Sequence, residues 1–330
     1  MSLTLVNNNY VGEMNKDIAA LLTLGAKDSA FFHVMLTKGN KVRFPYLAVA
    51  TTPAAFSSVC AVTDNSDRSR EVVDLELKSF VFQETACKDE EFKTDWANAN
   101  GSYESQTPDP EQMIEWAMMH ADNFTLFLQN LRWSGDTASG TAALAHQDGI
   151  VKQIAAMNAY NASTNPTGYQ KVATTTVTAS NAIQEIGKVV DAIPQLFVKL
   201  DPMFKIIISQ TVANFLIQQC RNTTLTVGLA SVPQINYNVE TGQILDATYF
   251  GAPVFVAAGL GATATNSNVI MAGLFGDSRK GVLKYGATDP MEGENVTMKE
   301  VQDGDAIRLR AIHSQAVTII PNVSQVAMNL

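Results

Sequence analysis

The chain has 330 residues, 46% of them hydrophobic and 17% charged, against the ~25% charged that is usual for a globular protein. Its plentiful Leu, Ile, Val and Phe exclude a broadly disordered chain, and three cysteines are too few for a disulfide framework. A formal charge of −9 with no basic run argues against a sequence-specific DNA reader. Few charges leave little surface that must face water, which points to a subunit that buries much of its exterior against neighbours. Met1–Tyr10 lacks a basic n-region, and no stretch reaches the ~18 apolar residues of a membrane span. The expectation is a protein made in the cytosol that does not cross a membrane.

In chain order, Met1 to Val49 reads as short extended segments with a weak helical stretch at Asn15–Leu24, ending in the alternating strand Lys41–Leu47. Thr63–Ser69 is an exposed loop tip. Glu71–Gln83 leaves it as one two-faced strand, with Val73, Leu75 and Leu77 alternating against Asp74, Glu76 and Lys78. Strand, tip and returning strand make a long hairpin-like excursion with no core of its own. Its apolar side is expected to be covered by a neighbouring subunit.

The strongest helix signal is Pro110–Arg132. Asp109 suits the N-cap, Pro110 the first turn and Gln112 a capping box. Met113, Ala117, Ala121, Phe124, Leu128 and Leu131 recur at three- and four-residue spacing, which marks one buried face. Trp116, Phe127 and Trp133 lie partly off that stripe, and Ser134-Gly135-Asp136 is a glycine stop. Asp148-Gly149-Ile150-Val151 then turns the chain into a short segment, and Asn161–Thr178 is a loop with a Thr-rich strand. A helix over Asn181–Ile193, capped by Ser180 and limited by Pro194, places Ile183, Ile186, Val190 and Ile193 on one face. Lys205–Ser209 reads as a buried strand and Val212–Arg221 as a short helix. Strands are expected at Leu225–Leu229, Gln234–Val239, Pro253–Ala257, Val269–Phe275, Gly281–Tyr285, Ile307–Ile312 and Ala316–Ile320. Turns are expected at Glu240–Gly242 and Asp303–Asp305.

Motifs of chemistry are few. Gly259-Leu-Gly261-Ala-Thr-Ala264 has the G-x-G-x-x-A spacing of a dinucleotide loop, with Asp277 18 residues on. That loop binds pyrophosphate only if a helix starts there, and the strand-like Val269–Phe275 leaves no room for one, so a glycine loop between strands is the reading. His33, His120, His146 and His313 have no ligand spacing. No G-x-S-x-G elbow or phosphate loop occurs, and Asp89-Glu90-Glu91 is a solvated run, since a hard cation needs oxygens converging from several directions. Cys60, Cys87 and Cys220 read as buried thiols, with a Cys60–Cys87 bridge as the alternative. No catalytic, cofactor-binding or metal-binding residue is assigned, and the chain is not expected to be an enzyme.

The order of parts is more telling: extended arm, two-stranded excursion, long helix, glycine stop, second helix, then a strand-rich region. It resembles the major capsid protein of tailed bacteriophages, whose fold is shared with herpesvirus capsids and encapsulins. Glu71–Gln83 looks like the family's E-loop limb and Asp109–Arg132 like its spine helix. Leu131–Asp136 followed by Gln147–Val151 is similar to the "G-[DN]…DGI" stretch after the spine. Ser180–Ile193 and Ile206–Arg221 resemble the second long helix and the strand–helix pair after it. Tyr249–Val254 resembles the "G-x-P-V" segment, Leu274–Ser278 the "GD" turn, and Arg308–Pro321 the strand returning to the peripheral domain.

The resemblance implies an α+β fold. Its parts would be an N-arm over 1–49, an E-loop region over 50–105, a P-domain with spine helix over 106–204, an A-domain over 205–304, and C-terminal strands over 305–330 returning to the P-domain. It implies hexamers and pentamers tiling an icosahedral shell around double-stranded DNA, no cofactor, and residence in the virion after assembly in the host cytoplasm. A portal protein, and a scaffold or decoration protein, are the implied partners. Lys78 and Lys88 lie where some members crosslink, but no local motif carries that chemistry over. The alternatives are an encapsulin-like compartment shell and, less favoured, an α/β nucleotide-binding enzyme using the Gly259–Gly261 loop.

Overall fold

The computed structural model describes residues 27–50, 67–87, 110–157, 169–173, 175–193, 196–227, 243–249, 251–261, 267–277, 280–289, 296–301, 306–320 and 326–329. The fold is α+β: two sheets, a detached two-stranded ribbon, and helices packed on the sheets. The strands are β1 (His33–Thr37), β2 (Lys41–Ala50), β3 (Asp67–Glu76), β4 (Lys78–Cys87), β5 (Gln170–Val172), β6 (Phe204–Ile208) and β7 (Gln243–Tyr249). They continue with β8 (Ala252–Val256), β9 (Ile270–Leu274), β10 (Leu283–Thr288), β11 (Val296–Val301), β12 (Ala306–Ile319) and β13 (Ala327–Asn329). The helices are α1 (Pro110–Ser134), α2 (Ile150–Ala156), α3 (Ala182–Asp191), α4 (Leu196–Lys199) and α5 (Gln210–Val227).

One sheet has the order β1-β10-β12-β11, with β4 on the opposite side of β12. β12 is long enough to pair with β11 through Ala306–Ala311 and β10 through Gln315–Ile319 on one edge, and with β4 through Ala306–Gln315 on the other. Helix α1 lies across this sheet. Its stripe Ala117, Ala121, Phe124, Leu128 and Leu131, joined by Trp116, packs on Phe80, Ala86, Leu309 and Ala311. Alternation on β4 and β12 supplies the matching face, because Phe80 and Ala86, like Leu309 and Ala311, are separated by an even number of positions and so point to one side. Each buried Phe or Leu here contributes about 2 kcal/mol, so the contact, not propensity, fixes the helix.

The second sheet has the order β5-β13-β9-β6-β8-β7 and carries the main core. Its central strands β6 and β9 are apolar nearly throughout, as expected of strands covered on both faces. Ile186, Val189 and Val190 of α3 and Val212 and Leu216 of α5 close over it, while Ile150 and Ile154 of α2 join the same core from beside β12.

The ribbon pairs β2 with β3 in antiparallel register from Lys41↔Glu76 to Ala50↔Asp67. Its base is covered by its own chain, which corrects the expectation that a neighbour covers the apolar side there. Val42, Phe44, Leu75 and Leu77 pack with Ala316 and Met35. Gly286 of β10 leaves room for them; a Cβ on it would lie 3.0 Å from Val42 Cγ2 and 3.1 Å from Leu77 Cδ2.

Several other expectations change. Glu71–Gln83 is two strands, broken at Leu77, and only the first belongs to the ribbon; β4 joins the sheet under α1. Asp67–Ser69 are strand, not loop tip, because they pair with Ala48–Ala50. Thr175–Thr178 are not strand; only Gln170–Val172 pairs, with β13. The N-cap of α3 is Asn181, not Ser180, and the Asn181 side chain accepts from Thr178 N–H at 2.7 Å. The α3 stripe runs through Ala182, Glu185, Ile186, Val189 and Val190, which leaves Ile183 exposed. Helix α5 extends through Leu225–Val227, where a strand was expected. Ile307–Ile312 and Ala316–Ile320 are one strand, β12. β12 lies beside β4, and β13 joins the other sheet, between β5 and β9. The expectations at Asn15–Leu24, Asp109, Pro194, Gln234–Gly242, Asp89–Glu91, Cys60, Lys88 and Asp303–Asp305 lie outside the described residues.

Candidate assembly site

The Gly259 loop fails as a nucleotide site on geometry. β8 runs parallel to β6 and β9 antiparallel to it, and only 262–266 lie between the turn at 258–261 and the turn at 267–268, too few for the ten-residue crossover helix. Gly259 instead seats the turn on α1. A Cβ there would be 2.5 Å from Gln129 O and 2.9 Å from the Trp133 ring, and Ser134 Oγ donates to Gly259 O at 2.8 Å.

The four histidines each have contacts of their own. His33 Nδ1 faces Asp277 Oδ1 at 2.9 Å. His120 lies edge-on to Trp116 and His146 edge-on to Phe80 and Phe127, as ring-packing residues. Among the described residues no three His, Cys, Asp or Glu side chains converge as metal ligands would. Burial raises the pKa of the Cys220 thiol, which keeps it protonated. Lys78 is exposed at the start of β4.

The stretch after α1 explains its own two glycines. Gly135 N–H donates to Leu131 O, and Gly149 N–H to Gly135 O at 2.8 Å. A Cβ on Gly135 would sit 2.3 Å from Gln147 O, and one on Gly149 2.6 Å from Trp133 O. Two backbones therefore touch where no side chain fits. Lys152 of α2 ties the clamp by bridging Asp136 and Asp148, and Asp148 Oδ1 also accepts from Thr137 N–H and Oγ1. The Lys152 hydrogen bond holds the Asp136 carboxyl below its ordinary range, and the two carboxylates hold the Lys152 amine above its own.

Where α1, β10, β12 and the first described turn meet, a polar cluster is closed off from solvent. Arg132, buried completely, donates Nη1 to Asp28 Oδ1 at 2.9 Å, Nε to Gln315 Oε1 at 2.9 Å, and Nη2 to the Tyr285 hydroxyl at 3.3 Å. Its guanidinium lies 4.5 Å from the Tyr285 ring centroid. Trp133 Nε1 donates to the second Asp28 oxygen at 2.8 Å. Gln315 Nε2 reaches Leu128 O, and the Tyr285 hydroxyl lies 3.1 Å from His313 Nε2. Burial pushes Tyr285 up to about 12 and His313 down to about 3, the Arg132 charge adding to the latter. Neither Asp28 nor Arg132 was singled out from sequence. The legible signal was a charged residue at the buried end of the α1 stripe, four residues after Leu128 and directly before a tryptophan.

Among the described residues the exposed large apolar side chains are Leu36, Val72, Val81, Met119, Leu126, Ile183 and Leu200. Met119 and Leu126, seven residues apart, share the outer face of α1, and Val81 lies on the face of β4 turned away from α1.

No protein-family model matches the sequence, and no curated protein does either. Among solved structures the chain is similar to the capsid of a native GTA particle, with TM-score 0.55 and 14% identity over 94% of this chain and 89% of that one. It is similar also to the cyanophage A-1(L) capsid (TM-score 0.54, 10% identity, 91% and 90% covered) and to Mycobacterium phage Ogopogo (TM-score 0.51, 15% identity, 91% and 89% covered). The fold is that of the phage major capsid protein.

Proposed function

We propose that this chain is the repeating wall subunit of an icosahedral capsid, assembling as hexamers and pentamers around packaged double-stranded DNA, with a structural and not a catalytic role. The observation that carries the reading is the likeness of fold to the GTA particle capsid over 94% of the chain. The ribbon supports it, because a two-stranded sheet is marginal alone and the packing described for it on its own subunit is at the base. The charge of −9 supports it too, since an acidic wall encloses DNA without adhering to it. The partners of this reading are further copies of the chain, a portal protein, and a scaffold or decoration protein. The subunit assembles in the host cytoplasm and resides in the virion. The parts follow as an N-arm over 1–49, an E-loop region over 50–105, a P-domain over 106–204, an A-domain over 205–304 and closing strands over 305–330. The pairing of β2 with β3 favours counting Lys41–Ala50 with the E-loop.

Electron microscopy of the purified full-length protein tests this. Shells, sheets or ring-shaped capsomers are expected, and a discrete monomer at high concentration overturns the reading. Native particles filled with enzyme cargo in place of DNA would overturn the DNA-packaging part alone.

A further inference from the structure

A buried ion pair adds little to stability over an apolar pair of the same shape, because desolvation offsets its attraction; its best-attested role is to select one arrangement among several. Asp28 and Arg132 form such a pair, with side chains 3% and 0% exposed. They join parts distant in sequence. Asp28 belongs to the 3-10 turn Lys27–Phe31, and Arg132 lies in the last turn of α1. Both carboxylate oxygens are used, one by Arg132 and one by Trp133, so the turn seats in a single orientation. The adjoining contacts are less specific. Phe31 and Phe32 meet Trp133, Phe255 and Tyr285 edge-on or tilted at 5.3 to 6.3 Å, geometries that a small slide of the turn would also satisfy.

We propose that Asp28–Arg132 is a registry latch: it selects one seat for the Lys27–Phe31 turn on the end of α1, and thereby fixes where Lys27 stands on the body. The other groups of the cluster serve the latch. Gln315 accepts from Nε and the Tyr285 hydroxyl from Nη2, which fixes the plane of the guanidinium. The latch is independent of the assembly reading, and its test reads the subunit itself.

The test is amide hydrogen exchange on the full-length protein, comparing wild type, Asp28→Asn and the double variant D28L/R132M. The Phe32 amide, bonded to Ser29 O at 3.1 Å, reports the turn, and the amides of β6 and β9 report the body. In Asp28→Asn, exchange at Phe32 is expected to rise at least tenfold while β6 and β9 hold within twofold. In D28L/R132M, which removes both charges and leaves an apolar pair, the body is expected to keep its protection and the turn to remain unprotected. If the double variant restores Phe32 to the wild-type rate, or if exchange in Asp28→Asn rises equally across the body, the pair is ordinary core and the latch is overturned.

Discussion

His313 lies in the interior as a neutral ring and stays so down to about pH 3, whereas in the unfolded chain it takes up a proton near 6.5. Its contribution to stability is therefore complete above about pH 6.5, declines as the pH falls through that window, and is lost by about 3. The slope is about 1.4 kcal/mol per pH unit while only the unfolded chain is protonated. His313→Asn should flatten the fall in denaturant midpoint between pH 6.5 and 4 relative to wild type; parallel curves would show that the ring is not the source. Gly135 is bound by shape instead of charge. A methyl group there meets Gln147 O at 2.3 Å and Leu131 O at 2.5 Å, both backbone atoms that cannot swing away. Gly135→Ala should cost about 3 kcal/mol or more, read as a drop in chemical-denaturation midpoint, while alanine at Gly140, where nothing lies within 4 Å of the added carbon, should change little.

At the scale of elements, α1 was legible because its stripe, its Pro110 start and its glycine stop agree. The break at Leu77 was legible in principle: Leu77 and Phe80 are both buried, with Lys78 and Ser79 exposed between them, so the two-residue period slips by one. β11 and β13 were missed. β13 has only three residues, and its place depends on β5 and β9, far away in sequence. The end of α5 was misread because Thr-Leu-Thr-Val has strand propensity that its context overrides. The assembly role was suggested by the order of these elements, but the Asp28 cluster was not, since a pair 104 residues apart leaves no local pattern. The ribbon yields a prediction of its own. Ala50 and Asp67 are register partners, so replacing 51–66 by Asn-Gly should give a closed hairpin. The body should melt within about 0.5 kcal/mol of wild type, while the yield of shells by electron microscopy falls. Shells of unchanged number and stability would remove 51–66 from the assembly contacts.

For the whole molecule, the question is which exposed apolar residues belong to contacts between copies. Met119 and Leu126 are 55% and 49% exposed on the outer face of the longest helix. Replacing either with Glu should leave the unfolding midpoint of the subunit nearly unchanged, within about 0.5 kcal/mol, because an exposed side chain has little burial to lose. If that face lies against another subunit or a scaffold, assembly followed by light scattering should slow or stop. Unchanged assembly for both variants would leave the face of α1 to solvent.

The anchored base of the ribbon also makes it a lever. Ten residues per strand at ~3.3 Å each give an arm of about 33 Å. With the base held at Leu75, Leu77 and Gly286, a tilt of about 5° there moves the far end by about 3 Å. In the shell proposed above, one sequence would therefore reach differently placed neighbours by a change at its root no larger than the ordinary give of packed side chains.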